Sequence, residues 1–334
     1  MREFLTGIKS LSIVGMQKNA GKTTCLNSIL TEMTDVVIGL TSIGRDGELE
    51  DSVYKVRKPS IFVTKGTVIA TTTEALGNSS AEYSILHKTK MNTPMGVIYI
   101  IKVTKAGFID LAGPSYNKQI NEVYDLMLEF GIELFIVDGA FSRKQMASNE
   151  RLDATILVTG ASYSKDIDIV VKETGVTFKL FNLPKTKLPD ALSYFNNAVT
   201  LIGDKVKTLD LNTSLGSAEL IVSSIEDDTK YLVLNGALTK ELVNELKVNR
   251  HRISGLTILL KDGTKAFLDY DLYNYLIMMD TAIEVVYDIN LLCLVYNPYS
   301  PLGYEFDDIE FRNKLTKVID LPIVNVLKRG RKYG

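Results

Sequence analysis

A glycine-rich segment near the start of the chain, Gly15–Thr24, has the sequence GMQKNAGKTT, which combines residue types that bind phosphate. It follows an apolar stretch, Ser10–Val14, and precedes Gly21–Met33, whose apolar residues recur at helical spacing. In a strand–loop–helix context, the N–H groups of the turn and of the helix N-terminus point at phosphate oxygens, and the helix dipole adds positive potential. The segment therefore predicts a phosphate-binding loop, or P-loop.

The side chains of this loop have predicted roles. Gly21 lets the backbone approach the phosphates, Lys22 reaches the outer phosphates as a cation, and Thr23 offers its hydroxyl to Mg²⁺. The usual motif has its first glycine at the position of Met16, so Gly15 lies one residue early and the loop is a variant. The predicted nucleotide contacts are Gly15, Lys18, Asn19, Ala20, Gly21, Lys22, Thr23 and Thr24.

A site of this kind also needs a carboxylate at the end of a neighbouring strand to hold Mg²⁺, directly or through water. Leu134–Asp138 has that form, because four apolar residues lead to the acid and then to Gly139. We predict Asp138 as a metal ligand beside Thr23 and as a catalytic residue beside Lys22. The alternative is an acid that only caps the next segment.

The polar loop Thr41–Glu48 follows the second apolar strand of the chain. Loops at the carboxyl ends of strands border the ligand crevice in doubly wound sheets. Asp46 is therefore a candidate catalytic residue and metal ligand, and Arg45 is a candidate partner for a phosphate or for an acid of another subunit. An ordinary polar turn explains these residues equally well.

The expected cofactors are ATP and Mg²⁺, and the lack of an Asn-Lys-x-Asp guanine motif favours ATP over GTP.

The amino-acid composition argues against several classes of partner and cellular location. The chain has 38 basic and 40 acidic residues and a net charge of -2, so no nucleic-acid partner is expected. Its two cysteines, Cys25 and Cys293, lie far apart, which argues against a disulfide scaffold and fits a reducing compartment. No apolar run approaches the ~18–20 residues of a membrane span, and no secretory signal is visible. We expect a cytoplasmic protein without membrane contact.

Apolar strands alternate with amphipathic helices through the first half of the chain. This pattern predicts an α/β fold with a doubly wound, mainly parallel sheet of the P-loop NTPase type. Two antiparallel pairs of strands are also predicted, Ser60–Thr64 with Thr67–Ala70 and Val97–Val103 with Phe108–Leu111.

The pattern of strands and helices restarts at about Ala198. We therefore predict two domains, a P-loop nucleotide-binding domain at residues 1–195 and a smaller α/β domain at residues 196–334. The second half carries no catalytic constellation, which favours a role in docking a partner or in coupling.

Three motifs, in this order, carry a family resemblance: the P-loop, the Thr41–Glu48 loop (TSIGRDGE) and Val137–Ala140 (VDGA). Over about residues 10–162 the chain resembles the P-loop subunit of the lysine 5,6-aminomutase reactivase, the KamB type. More distantly it is similar to dethiobiotin synthetase.

In the class of P-loop proteins that contains MinD and dethiobiotin synthetase, an early lysine is often used across a dimer interface. That lysine lies five residues before the main lysine, where this chain has Gln17, whereas Lys18 lies four before Lys22.

The resemblance implies a chaperone-like ATPase. Such a protein would work with a MutS-like companion subunit on an adenosylcobalamin-dependent aminomutase and promote exchange of damaged cobalamin, and a homodimer is compatible with it. Two alternatives stay open. One is a dethiobiotin-synthetase-like ATP-dependent ligase or kinase that acts on a small carboxylated metabolite held by the Arg45 loop. The other is a nucleotide sensor that does not hydrolyse its ligand.

Overall fold

The computed structural model describes residues 1–43, 61–139, 152–250, 253–325 and 327. The strands, in chain order, are β1 (Ser10–Gly15), β2 (Ile38–Ser42), β3 (Ile61–Val63), β4 (Val68–Thr72), β5 (Glu82–Thr93), β6 (Gly96–Lys105), β7 (Gly107–Ile109), β8 (Leu134–Gly139), β9 (Ala154–Gly160), β10 (Val199–Ile202), β11 (Val206–Leu209), β12 (Tyr231–Leu234), β13 (Thr257–Leu260), β14 (Ala282–Val285), β15 (Leu291–Asn297), β16 (Tyr299–Ser300), β17 (Tyr304–Glu305) and β18 (Ile323–Asn325). The α-helices are α1 (Lys22–Glu32), α2 (Thr73–Leu76), α3 (Asn117–Leu128), α4 (Ile167–Phe181), α5 (Ala218–Ser223), α6 (Lys240–Val248), α7 (Tyr270–Met278) and α8 (Asp308–Leu315).

The chain divides into two compact units, and the second is inserted into the first. Unit 1 consists of Met1–Val170 and Asn290–Gly334, and unit 2 is Val171–Ile289. This division differs from the predicted single boundary between residues 195 and 196. The reason is that β15 pairs in parallel with β9 and with β18, so these two strands from the end of the chain belong to the large sheet of unit 1.

Unit 1 is built on a nine-stranded mixed sheet in the order β18-β15-β9-β1-β8-β2-β4-β6-β5. Neighbouring strands from β18 to β4 are parallel, and β6 pairs antiparallel with both β4 and β5. The chain is therefore α/β, as predicted, and the parallel part of its sheet adjoins an antiparallel edge.

Helices cover both faces of this sheet, as the near-continuous apolar strands predict. On one face Cys25 and Ile29 of α1 share a hydrophobic core with Ile136 of β8. On the other face Tyr124 of α3 stacks on Phe135 of β8, with ring centroids 4.7 Å apart. Because successive residues of β8 point to opposite faces, this one strand is buried on both sides.

The predicted antiparallel pairs are wrong in their partners. β3 pairs with β7 in a separate two-stranded sheet, with Phe62 opposite Phe108, whereas β4 lies between β2 and β6. β5, an edge strand of largely exposed residues, takes the place beside β6 that the sequence had assigned to Phe108–Leu111. Turn residues between two apolar runs suggest a hairpin, but β3 and β4 pair with strands that are distant in the chain, and the hairpin partner of β6 is the strand before it, β5.

Unit 2 has a smaller five-stranded sheet in the order β11-β10-β12-β13-β14. β12, β13 and β14 are parallel, and β10 pairs antiparallel with β11 and β12. Helices α5, α6 and α7 supply buried residues to one core with these strands, among them Ile221, Leu246 and Leu276. No helix in the described ranges is both long and apolar enough to cross a membrane.

Candidate functional site

The predicted P-loop lies at the carboxyl edge of the parallel strands in unit 1. β1 is flanked by β8 and β9, with Ile13 opposite Asp138, Val14 opposite Gly139 and Gly15 opposite Val158. The loop therefore begins beside the end of the strand that carries the predicted acid. The sequence predicted both strands, and the structure makes them neighbours.

The φ angle changes sign from residue to residue along the backbone of the predicted loop. Asn19 has a φ of 61° and Gly21 a φ of 108°, and neither Lys18 nor Ala20 has a positive φ, so the sign alternates along the loop. Such alternation turns successive N–H groups towards one concave side. Gly21 is also the residue immediately before α1, a helix of 11 residues whose positive dipole end faces the loop. Glycine is needed at this position because side chains disfavour a φ of this size.

The Lys22 side chain folds back over Gly15. A Cβ placed on Gly15 would lie 2.9 Å from Cγ and Cδ of Lys22 and 3.0 Å from its Nζ. The ammonium group donates to the backbone carbonyl of Gln17 at 3.4 Å. Met16 is buried, and its N–H donates to the carbonyl of Val158 at 2.8 Å, which continues the pairing with β9 by one residue. The position of the early glycine is thus explained, because a side chain at residue 15 would collide with the methylene carbons of Lys22.

Lys22 and Asp138 interact electrostatically in the site, and although each residue is partly exposed, its charged end is buried. Burial lowers the pKa of Lys22 and the Asp138 carboxylate partly offsets this shift. Burial likewise raises the pKa of Asp138, and the Lys22 ammonium partly offsets that shift. The Asp138 Oδ1 atom is inaccessible to solvent and has no hydrogen-bond partner in the part of the chain that the structure describes.

The other predicted contacts occupy positions consistent with the motif. Thr23 and Thr24 are half-buried in the first turn of α1, and Lys18 is exposed. Ala20 is buried, and its carbonyl oxygen lies 3.1 Å from where a Cβ on Gly160 would be. Arg45, Asp46 and Glu48, together with Ala140 of the third motif, lie outside the described residues.

The residues present fit a magnesium-bound triphosphate. Thr23 offers a hydroxyl oxygen and Asp138 a carboxylate oxygen without a protein partner, and oxygen ligands are what Mg²⁺ prefers. Lys22 provides a cation beside them. Among the described residues no group of three or more His, Cys, Asp or Glu side chains is placed to hold a metal ion.

A connecting segment at residues 110–113 forms part of the same edge, and sequence reasoning missed it. The Thr71 hydroxyl accepts the N–H of Ala112 at 2.9 Å and donates to the carbonyl of Asp110 at 3.2 Å. The Gly113 N–H donates to the Ser42 hydroxyl at 3.1 Å. A Cβ on Gly113 would collide with the Ser42 carbonyl oxygen, so the glycine permits this close passage.

The sequence signal for this segment is Gly113 itself, because only a residue without a side chain fits so close a passage. Ser115 does not cap the helix that follows. Tyr116 precedes α3, and its side chain makes no capping hydrogen bond. The glycine, rather than the serine, is the residue that the structure requires here.

Two loops form the opposite border of the site, after β9 and β15. The Ala161 N–H donates to the Asn297 carbonyl at 2.9 Å, and the Tyr304 hydroxyl donates to the Ala161 carbonyl at 2.6 Å. A Cβ on Gly160 would lie 2.7 Å from the Asn297 carbonyl oxygen, so these loops pack closely beside the P-loop. The sequence alone does not indicate that Asn297 lies next to Gly160, because the two residues are far apart in the chain.

Comparison of this chain with protein-family models, with curated proteins and with solved structures finds no significant match.

Proposed function

We propose that this protein binds a magnesium-bound nucleoside triphosphate, with ATP as the expected ligand, at Gly15–Thr24 and hydrolyses it. One observation supports the proposal most directly. Lys22 is held over Gly15 and interacts electrostatically with Asp138, whose Oδ1 has no protein partner in the described chain. A cation and a carboxylate that are buried together but not directly bonded fit a ligand that carries both phosphate oxygens and a divalent cation.

Each group of the site has a definite task in this proposal. The loop N–H groups and the N-terminus of α1 hold the inner phosphates, and Lys22 neutralises charge on the outer ones. Thr23 and Asp138 hold the Mg²⁺ ion, directly or through water. When bound, Mg²⁺ would offset the negative charge that develops during phosphoryl transfer. The work of the chain is therefore positioning and charge neutralisation.

Substitution of the loop lysine tests nucleotide binding directly. We expect Lys22→Ala to weaken the affinity for Mg²⁺–ATP at least tenfold, because a hydrogen-bonded charge contact of about 1.5–3 kcal/mol is lost. Isothermal titration calorimetry with a non-hydrolysable ATP analogue measures this change without turnover. Lys65→Ala is the matched control, since Lys65 is an exposed lysine in a turn and its loss should leave the affinity within twofold.

Two results would contradict the assignment. One is a wild-type protein that binds neither Mg²⁺–ATP nor Mg²⁺–GTP, and the other is a Lys22→Ala variant with wild-type affinity. Titration with both nucleotides also shows which base the protein prefers, and we expect it to bind ATP more tightly than GTP.

The biological role that we propose is that of a reactivase subunit for an adenosylcobalamin-dependent aminomutase, acting with a MutS-like companion. This part rests on the motif resemblance alone. ATP turnover measured with the aminomutase and its companion subunit should rise above the basal rate. Turnover that instead requires a small carboxylated metabolite would indicate the ligase or kinase alternative. Tight binding without turnover under either addition would indicate a sensor.

A further inference from the structure

Gln17, in the middle of the P-loop, has a buried side-chain donor without a protein partner. Its amide nitrogen Nε2 is inaccessible to solvent and makes no hydrogen bond within the described residues. Leaving such a group unsatisfied lowers the stability of the folded protein. Most buried polar atoms in proteins do have partners, so an exception at a ligand site is best explained by a partner that the ligand supplies.

The position of Gln17 identifies which part of a ligand it would meet. Its backbone carbonyl oxygen accepts a hydrogen bond from Lys22 Nζ, the end of the lysine side chain that is farthest from the backbone of α1. The N–H groups at the start of α1 lie at the other end of that side chain and suit the inner phosphates. The backbone of Gln17 therefore lies at the outer end of the proposed phosphate site, beside the Lys22 ammonium group.

We propose that the Gln17 amide donates a hydrogen bond to the terminal phosphate of the bound nucleoside triphosphate. The inference rests on the proposed function and specifies a further contact within it. A neutral amide adds a directed donor beside Lys22 without placing a second cation next to a buried ammonium. The contact exists only when the terminal phosphate is present, so Gln17 distinguishes the triphosphate from the diphosphate.

Binding measurements on Gln17 variants test this inference. We expect Gln17→Ala to weaken binding of a non-hydrolysable ATP analogue with Mg²⁺ about tenfold, while Mg²⁺–ADP binding stays within twofold. Gln17→Glu should bind the analogue more weakly than Gln17→Ala, because its carboxylate repels the phosphate. The free Gln17→Ala protein should be as stable as the wild type or more stable, since the substitution removes an unsatisfied buried donor.

The outcomes separate this inference from the proposed function. If the wild type binds the analogue, Lys22→Ala loses it and Gln17→Ala binds normally, the role of Gln17 is overturned and the nucleotide site stands. Equal weakening of ATP-analogue and ADP binding by Gln17→Ala also overturns a contact specific to the terminal phosphate. A wild type that binds no nucleoside triphosphate overturns the proposed function itself. Lys65→Ala again serves as the control for nonspecific effects of substitution.

Discussion

The two central charged residues of the proposed site are desolvated at a cost to the stability of the free protein. Lys22 and Asp138 both have pKa values shifted towards their neutral forms, and in each case burial is the larger cause. Their mutual attraction only partly offsets the desolvation that each suffers. A buried charge without full compensation lowers stability, and its persistence here fits binding rather than folding.

Replacement of the acid should therefore stabilise the nucleotide-free protein. Asparagine resembles protonated aspartic acid, which is the form that the fold favours because burial raises the pKa of Asp138. We expect Asp138→Asn to raise the free energy of unfolding at about pH 8 by about 1–3 kcal/mol. It should also abolish turnover, because the carboxylate ligand of Mg²⁺ is lost. Urea denaturation and a phosphate-release assay measure the two effects.

The effect of Asp138→Asn on stability should depend on pH. A raised pKa in the folded state means that the wild type loses stability as pH rises from the ordinary aspartate value through the raised one. The advantage of Asp138→Asn should thus be smaller at about pH 5 than at about pH 8. Asp153→Asn is a control that should instead lower the stability, because the Asp153 carboxylate accepts the N–H groups of Lys9 and Ser10 at 2.8 and 3.0 Å. A destabilised Asp138→Asn protein at both pH values would contradict the argument.

At the scale of elements, the end of β1 and the start of α1 act together. The lysine that opens α1 lies over the glycine that ends β1, so the strand and the helix jointly set the position of the ammonium group. The loop between them needs only to supply turn geometry, and its alternating φ signs do so. The variant spacing of the motif is therefore compatible with a working phosphate site.

This arrangement predicts a selective effect of Gly15→Ala. The added Cβ would approach the stem of Lys22 to 2.9 Å, and the flexible side chain would move off the strand end. We expect about tenfold weaker binding of Mg²⁺–ATP with little change in overall stability. Gly77→Ala is the matched control, because its Cβ would meet its nearest neighbour at 3.4 Å. Wild-type affinity in Gly15→Ala would show that Lys22 does not act from this position.

At the scale of the whole molecule, each unit has its own hydrophobic core. Leu232 of β12 is fully buried in the core of unit 2, and Leu40 of β2 is fully buried in that of unit 1. Since the chain enters unit 2 through α4 and returns to unit 1 before β15, unit 2 can be regarded as an inserted domain. Its sheet carries no residue of the proposed nucleotide site.

Matched core substitutions test whether the units unfold separately. We expect Leu232→Ala and Leu40→Ala each to cost about 2–5 kcal/mol of local stability. Hydrogen exchange followed by mass spectrometry should become faster in β12 and β13 for the first variant and in β1 and β8 for the second. Nucleotide affinity should survive Leu232→Ala. Equal acceleration of exchange in both units by either substitution would instead indicate one cooperative structure.

The amino-acid sequence by itself determined the local elements and the motif. Near-continuous apolar runs predicted β1, β8 and β9, and the spacing of glycine, lysine and threonine predicted the P-loop at the start of α1, because these signals depend on residues that are close in the chain. The structure brings the predicted site residues Lys22 and Asp138 together, whereas the predicted site residue Asp46 lies outside the described residues.

Only the tertiary structure decided which strands are neighbours. Sheet pairing joins residues that are distant in the chain, so the sequence could not show that β3 pairs with β7 or that β15 returns to β9. The same long-range packing made unit 2 an insertion and placed the residue 110–113 segment and Asn297 at the edge of the P-loop sheet. It also left Asp138 Oδ1 and Gln17 Nε2 buried without partners in the described chain, because burial is a property of the packed fold and not of a motif.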